Sequence, residues 1–292
     1  MNTKSHSALI DITPQFLKPC LPKRPDDSHK GNFGSALFIG GSTRYTGAAL
    51  LAGKACLRSG IGYLSMAVPA PLHTSLSGRI PEAIWYLLPE SDSKIAASSA
   101  ELLKDVVPGK TAVLIGPGLT VSESSIVFAE SFFREIIANY TETPIVCDAD
   151  MLTILSQSPG LFKYLPKSTV LTPHPGEMAR LTCLDVDEVQ ANRAELARKF
   201  ATEKQLTIVL KGVNTIIASP NGAVRQLNFA NSVLAHAGSG DVLAGLLTGL
   251  LGQGIPAFEA ACLTVWLHAK SGLLALEKRK HAASVLPSDL VN

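Results

Sequence analysis

The sequence predicts an α/β fold: a mostly parallel central sheet covered by helices on both faces, with an antiparallel meander at one edge. Three observations carry that prediction. Short apolar runs bounded by glycine or proline recur along the chain, as strands buried on both faces do. Longer stretches between them carry apolar residues at helical spacing. Near the end, two short strand-like runs follow one another through the turn "PNG" (Pro220 to Gly222), which reads as a hairpin.

The elements follow in order. Residues 1–28, rich in Pro, Lys and Asp, read as a lead-in that packs on the surface, and residues 29–292 as a single domain. "SALFIGG" is a buried strand stopping at Gly40-Gly41, "GAALLAGKACLRSGIG" a helix, and "YLSMAVP" a return to strand. "TAVLIGPG" is a strand ending in Gly-Pro-Gly, and "SESSIVFAESFFREIIANY" is a helix opened by serine and glutamate. "PIVCDAD" and "STVLTPHPGE" are strands ending in acids and in prolines. The helical "VDEVQANRAELARKFATEK" leads to "LTIVLKG" and "NTIIASP", which pairs with "AVRQLNF". Residues 241–277 read as helical throughout.

Composition narrows the function classes. Hydrophobic residues make up 46% of the 292 residues, so a large core can form, and a net charge of +2 without long charge blocks gives no case for nucleic acid. The apolar segment Val242 to Leu251 is far shorter than the ~18 residues of a membrane span. Five scattered cysteines without a CxxC read as reduced, buried thiols. "MNTKSHSALIDITPQFL" has no apolar signal core, so a cytoplasmic protein is expected.

In open α/β sheets ligands sit outside the carboxyl ends of the strands. Those ends carry the unusual residues here: Gly40-Gly41-Ser42, Gly116-Pro117-Gly118, Asp148-Ala149-Asp150, Pro173-His174-Pro175 and Lys211-Gly212. Two prolines hold His174 stiffly off its strand, where it reads either as a ligand contact or as a surface histidine. Lys211 is either a phosphate-neutralising cation or an exposed hairpin lysine. Asp150 reads as a helix cap and Asp148 stays open, with Mg²⁺ beside phosphates as the other reading of the pair. "HKGNFGSALFIGGS" matches neither a Walker loop nor GxGxxG, and Gly31 and Gly34 read equally as turn punctuation. In "AGSGD", a Gly-rich turn places backbone N–H groups and Asp241 at one helix mouth, an anion site with its own base. The alternative is a plain helix start with an acid in its first turn. The small residues that follow bury the helix, and an uncompensated carboxylate there is expensive, which favours function.

Taken together, "HKGNFGSALFIGGS", "TGAALLAGKACLRSGIG", "IGPGL", "CDAD", "LTPHPGE", "LKGVNT" and "GSGDVLAG", in this order from about Lys30 to the C-terminus, resemble the ADP/ATP-dependent NAD(P)H-hydrate dehydratases. The resemblance implies a ribokinase-like fold and repair of hydrated NADH or NADPH. The hydroxyl of the S-hydrate is phosphorylated at the expense of ADP or ATP, and phosphate then leaves as the ring double bond forms. It implies Asp241 as the base, and Gly238, Ser239 and Gly240 as the anion hole, with Gly240 also touching the nucleotide. Lys211, Gly212, Val213, Asn214 and Thr215 would line the AMP portion. Ala48, Gly118, His174 and Asp241 would meet the hydrated dinucleotide. Mg²⁺ would accompany the phosphates, with its protein ligands unassigned. A homotetramer and a separate epimerase in the same pathway are also implied; the 28 residues before His29 leave no room for that domain.

Two departures stand out. The family's Gly-Gly-Thr-Gly-Asp reads Ala237-Gly238-Ser239-Gly240-Asp241 here, which keeps a hydroxyl, and "NFANSVLAH" lacks the glycine usual before its asparagine. A small-molecule kinase of the same fold, of the hydroxyethylthiazole or hydroxymethylpyrimidine kinase type, is the rival enzyme; "HKGNFG" with "LTPHPGE" argues against it. A nucleotide-binding regulator with a dead site is disfavoured by the retained Asp241.

Overall fold

A computed structural model describes residues 9–292. Its strands are β1 (Ile10–Asp11), β2 (Ser35–Ile39), β3 (Tyr63–Pro69), β4 (Ile84–Leu88), β5 (Glu90–Ser91), β6 (Lys94–Ile95), β7 (Ala112–Ile115), β8 (Ile145–Cys147), β9 (Val170–Leu171), β10 (Thr207–Leu210), β11 (Thr215–Ala218) and β12 (Val224–Leu227). Ten of them form one sheet in the order β1-β12-β11-β10-β9-β8-β7-β2-β3-β4, and β5 pairs with β6 in a separate hairpin. From β10 to β4 every pairing is parallel. Only β11 runs against its two neighbours.

The parallel strands are apolar on both sides because both sides are covered. In β2, Leu37 and Ile39 enter one core and Ala36 and Phe38 enter the other, the period of two that a strand imposes. The first core gathers Phe128, Phe132, Phe133, Met151 and Ile154 from helices on one face. The second gathers residues of Thr46–Arg58, Ser239–Gly252 and Ala257–Arg279.

Several expectations are corrected in detail. The meander β10-β11-β12 does not end the sheet, because Ile10–Asp11 of the lead-in pairs in parallel outside β12. Ile12 and Leu17 of the same segment are buried in the second core, so it does more than pack on the surface. The C-terminal helical region is two helices, broken where Gly254 takes φ +85° and Pro256 follows. The helix expected over 186–204 is interrupted at Asn192, and the one over 122–140 passes into a π turn at Phe132–Ile136. All five cysteines are free, but Cys183 is exposed. Gly34 does both jobs: it closes the turn at φ +77°, and a Cβ there would stand 1.9 Å from the Gly252 carbonyl oxygen. Among the described residues no helix is long and apolar enough to cross a membrane.

Glycines also set the seat of the helix Ser239–Gly252. A Cβ on Gly245 would lie 2.1 Å from the Ala52 carbonyl oxygen, and one on Gly249 would lie 1.9 Å from Ser59 Oγ. The helix therefore lies backbone to backbone on Thr46–Arg58, and that contact fixes where its N-terminus emerges. Gly245→Ala gains about 1 kcal/mol of helix propensity. It also drives a methyl into a backbone carbonyl, an overpacking cost of about 1–3 kcal/mol, so a net loss of stability is expected. The urea midpoint measures it, and an unchanged or higher midpoint would contradict the close contact.

Candidate active site

Neighbouring strand ends build one continuous edge. The sheet order sets β10, β9, β8, β7 and β2 side by side, so the loops after them stand in a row. Hydrogen bonds join that row. Gly41 N–H donates to Pro117 O at 2.9 Å, and Ser42 Oγ lies 3.1 Å from Thr120 Oγ1. Thr120 N–H donates to Asp150 Oδ2 at 2.8 Å, so this carboxylate pins the neighbouring loop as well as opening the helix Asp150–Gln157. Gly116 sits at φ +124°, and a Cβ there would be 2.0 Å from the Asp148 carbonyl. Only glycine lets the two loops cross.

Asp148 is the fixed point. It is 2% exposed, accepts from Thr172 Oγ1 at 2.7 Å and receives the Lys211 ammonium at 2.8 Å. Lys211 Nζ also lies 3.7 Å from Glu177 Oε2. Burial works against the ammonium, but Asp148 and Glu177 overcome it and hold its pKa above the ordinary value. A Cβ built on Gly240 would stand 3.5 Å from the same Nζ, so the ammonium overhangs the mouth of Ser239–Gly252. Lys211 is thus no exposed hairpin lysine.

At that mouth Gly238 caps the helix in the left-handed region, at φ +99°, and Asp241 sits in the first turn. Burial raises the Asp241 carboxyl to about 7; Asp148 and Asp150 add to the rise, and Lys211 opposes it. Glu177 is raised to about 7 by burial as well. Ser239 is turned into the fold: its N–H donates to His236 O at 3.2 Å and its hydroxyl to Leu234 O at 2.8 Å.

His174 caps the helix Pro175–Thr182. Its Nδ1 accepts from the N–H groups of Gly176 at 3.0 Å and Glu177 at 3.3 Å, while Glu177 Oε2 accepts from His174 N–H at 2.7 Å. Nδ1 being an acceptor, the proton of the neutral ring is on Nε2, which lies 3.6 Å from Glu177 Oε1. Burial first, then Lys211 and Arg180, lower the imidazole's pKa, so the neutral form prevails at pH 7. Gly118 adjoins Ala48, its built Cβ standing 3.2 Å from that of Ala48. Gly212 and Val213 are exposed beyond β10. Asn214, at φ +55°, accepts from Phe229 N–H at 3.2 Å, and Thr215 Oγ1 donates to Gly212 O at 3.0 Å.

Sequence reading missed three residues here. Glu177 stands three residues after His174 across a proline, a capping-box spacing that could have been found. Arg193 reaches the end of β10 from another helix. Thr172 holds Asp148. No local signal marks the last two.

A family model described as NAD(P)H-hydrate dehydratase matches residues 36–292. The ADP-dependent (S)-NAD(P)H-hydrate dehydratase of Neisseria meningitidis is 36% identical over 270 residues, 91% of this chain and 86% of that protein. The bifunctional NAD(P)H-hydrate repair enzyme of Thermofilum pendens is 37% identical over 89% of this chain, which spans 49% of that protein's length. This chain thus spans about half the length of such bifunctional relatives. The solved structure of the ADP/ATP-dependent NAD(P)H-hydrate dehydratase from Bacillus subtilis, crystallised with ATP and Mg²⁺, superposes with a TM-score of 0.81 at 30% identity, covering 98% of this chain and 96% of that one. A hydroxyethylthiazole kinase from Pyrococcus horikoshii shares the fold alone, at a TM-score of 0.58 and 16% identity. The mostly parallel sheet with its one reversed strand is the ribokinase-like architecture, and the chain belongs to the NAD(P)H-hydrate dehydratase family.

Proposed function

We propose that this chain dehydrates the S-epimer of hydrated NADH or NADPH at the expense of ADP or ATP, restoring the reduced dinucleotide. The observation that supports it most is the placement of Asp241, a half-buried carboxyl, at a helix mouth overhung by the Lys211 ammonium. Hydroxide is a poor leaving group. Transfer of the terminal phosphoryl group to the hydrate hydroxyl makes departure easy, and the ring nitrogen's lone pair then expels phosphate as the double bond re-forms.

In this reading Asp241 accepts the hydroxyl proton as the oxygen attacks. Lys211 and the N–H groups at the helix mouth neutralise charge on the phosphoryl oxygens. Because Ser239 has already committed its donors inside the fold, the work falls on Gly240 and Asp241 N–H, with Gly238 shaping the turn. Lys211 to Thr215 strap the nucleotide, and Ala48, Gly118 and the Nε2–H of His174 meet the hydrated dinucleotide. Among the described residues no three His, Cys, Asp or Glu side chains gather into a metal cage. Carboxylates at the strand ends, with Asp148 already paired, suit Mg²⁺, which keeps waters and substrate phosphates and needs one or two carboxylates. When bound it would neutralise phosphate charge, with Asp150, whose Oδ2 also accepts from Thr120 N–H, as the carboxylate that would hold it. The same reading takes the protein as a cytoplasmic homotetramer that works beside an epimerase acting on the same hydrates.

The experiment is incubation with prepared S-NADPHX and ADP or ATP, following absorbance of the reduced nicotinamide. Asp241→Asn keeps the shape but removes the base and should lower kcat by about 10²–10⁴. Wild-type turnover in that variant would overturn the assignment.

The raised carboxyls also predict how stability varies with pH. A carboxyl whose folded pKa lies above its unfolded value binds more protons folded, so its contribution is present at low pH and is lost as pH rises. For Asp241 and Glu177 that loss spans the ordinary carboxylate range up to about 7. Asp241→Asn should therefore melt higher than wild type at pH 8, with a gap that shrinks towards pH 4. Equal melting at pH 8 would contradict the raised carboxyl.

A further inference from the structure

The strap after β10 is shaped from behind by one side chain. Arg193, first residue of the helix Arg193–Lys204, donates from Nη2 to two consecutive carbonyls, Leu210 O at 3.0 Å and Lys211 O at 3.2 Å. Its Nη1 donates to Gln190 Oε1 at 3.0 Å, which fixes the plane of the guanidinium. Successive carbonyls along a strand point to opposite sides. Both can reach one nitrogen only because the chain leaves extended geometry here, and Gly212 does so at φ +137°. A Cβ on Gly212 would stand 3.0 Å from Nη1 and 3.1 Å from Nη2, so the guanidinium packs directly against that glycine.

This arrangement has a directional consequence. Across a planar trans peptide the C=O and the next N–H point opposite ways. Holding Lys211 O towards Arg193 aims Gly212 N–H away from it, on the exposed side of the strap. On the other flank of the same residue, Lys211 N–H donates to Pro173 O at 2.8 Å. Lys211 is thereby pinned at both of its peptide groups, which sets the direction in which its side chain runs towards Asp148 and Gly240.

We propose that Arg193 is a positioning residue for nucleotide binding: by clamping the Leu210 and Lys211 carbonyls it turns Gly212 N–H towards the nucleotide, while Asp148 and Pro173 keep Lys211 at the helix mouth. It touches no ligand itself. The proposal rests on the reading of Lys211 to Thr215 as the nucleotide strap. Charge alone does not substitute for the clamp, because lysine lacks the planar fork.

The test compares wild type, Arg193→Lys and Gly212→Ala. Kinetics at saturating S-NADPHX give the KM for ADP and kcat, and amide hydrogen exchange of the 211–215 peptide is followed with and without ADP. In wild type ADP should slow exchange in that peptide. Arg193→Lys should raise the ADP KM about 10- to 100-fold, as loss of hydrogen bonds to a charged group and of preorganisation allows, with weakened exchange protection. Its kcat should stay within roughly twofold, the mark of a binding rather than a transition-state defect. Gly212→Ala, which keeps the charge but pushes a methyl into the guanidinium, should raise the ADP KM in the same way, and it serves if Arg193→Lys does not fold. ADP protection in wild type with an unchanged ADP KM in both variants, whatever their melting temperatures, would overturn the role of Arg193 and leave the strap standing. No ADP protection of residues 211–215 in wild type would overturn the strap, and the proposal with it.

Discussion

The buried pair of Lys211 and Asp148 is the interaction on which the site depends. Asp148 is almost wholly inside the protein, and Lys211 is 19% exposed, so neither charge is well hydrated. Removing one partner of such a pair costs about 3–5 kcal/mol, because the other is left buried and uncompensated. The pair also joins two parts of the fold. Asp148 follows β8 and Lys211 follows β10, and Thr172 after the intervening β9 donates to the same Asp148 oxygen. Three strand ends are thus held in register by one carboxylate.

From that pair the electrostatics of the edge follow. Asp148, Asp150, Glu177 and Asp241 are coupled through Asp148 and the Lys211 ammonium, with Arg180 acting on Glu177 as well. Burial first, with repulsion from Asp148, outweighs the nearby cations and raises Asp241 and Glu177 to about 7. A carboxyl near 7 is well matched to accepting a proton at neutral pH. The cost is stability that declines as pH rises through that range, a common trade at sites built for chemistry. The pair also explains why the helix mouth must be fixed so closely. Gly245 and Gly249 seat Ser239–Gly252 against the backbone of Thr46–Arg58, and a shift there would carry Gly240 and Asp241 away from Lys211.

Much of this was legible in the sequence, for physical reasons that can be named. Strands buried on both faces leave continuous apolar runs, so β2, β3, β7, β8 and β10 stood out, and their glycine, acid and proline endings marked the ligand edge. What depends on partners distant in sequence was not legible. β1 is two residues that pair only because β12 presents a free edge. β4 is a half-exposed edge strand with no alternation to show it. Arg193 sits in an ordinary charged helix, and its role exists only where that helix meets the end of β10. Ser239 matched an anion-hole pattern, yet the turn draws its N–H and hydroxyl inward to His236 and Leu234. A motif fixes which residue types are present; the local turn decides which of their donors remain for a ligand.

The central claim is that the phosphoryl group placed on the substrate leaves again. A kinase on this scaffold would use the same base and the same helix mouth but keep its product phosphorylated. Phosphorus NMR of a completed reaction with S-NADPHX and ADP tests the difference directly. The account predicts equal amounts of AMP, inorganic phosphate and NADPH, with no lasting phosphate ester. A stable phosphorylated product with no inorganic phosphate would contradict it.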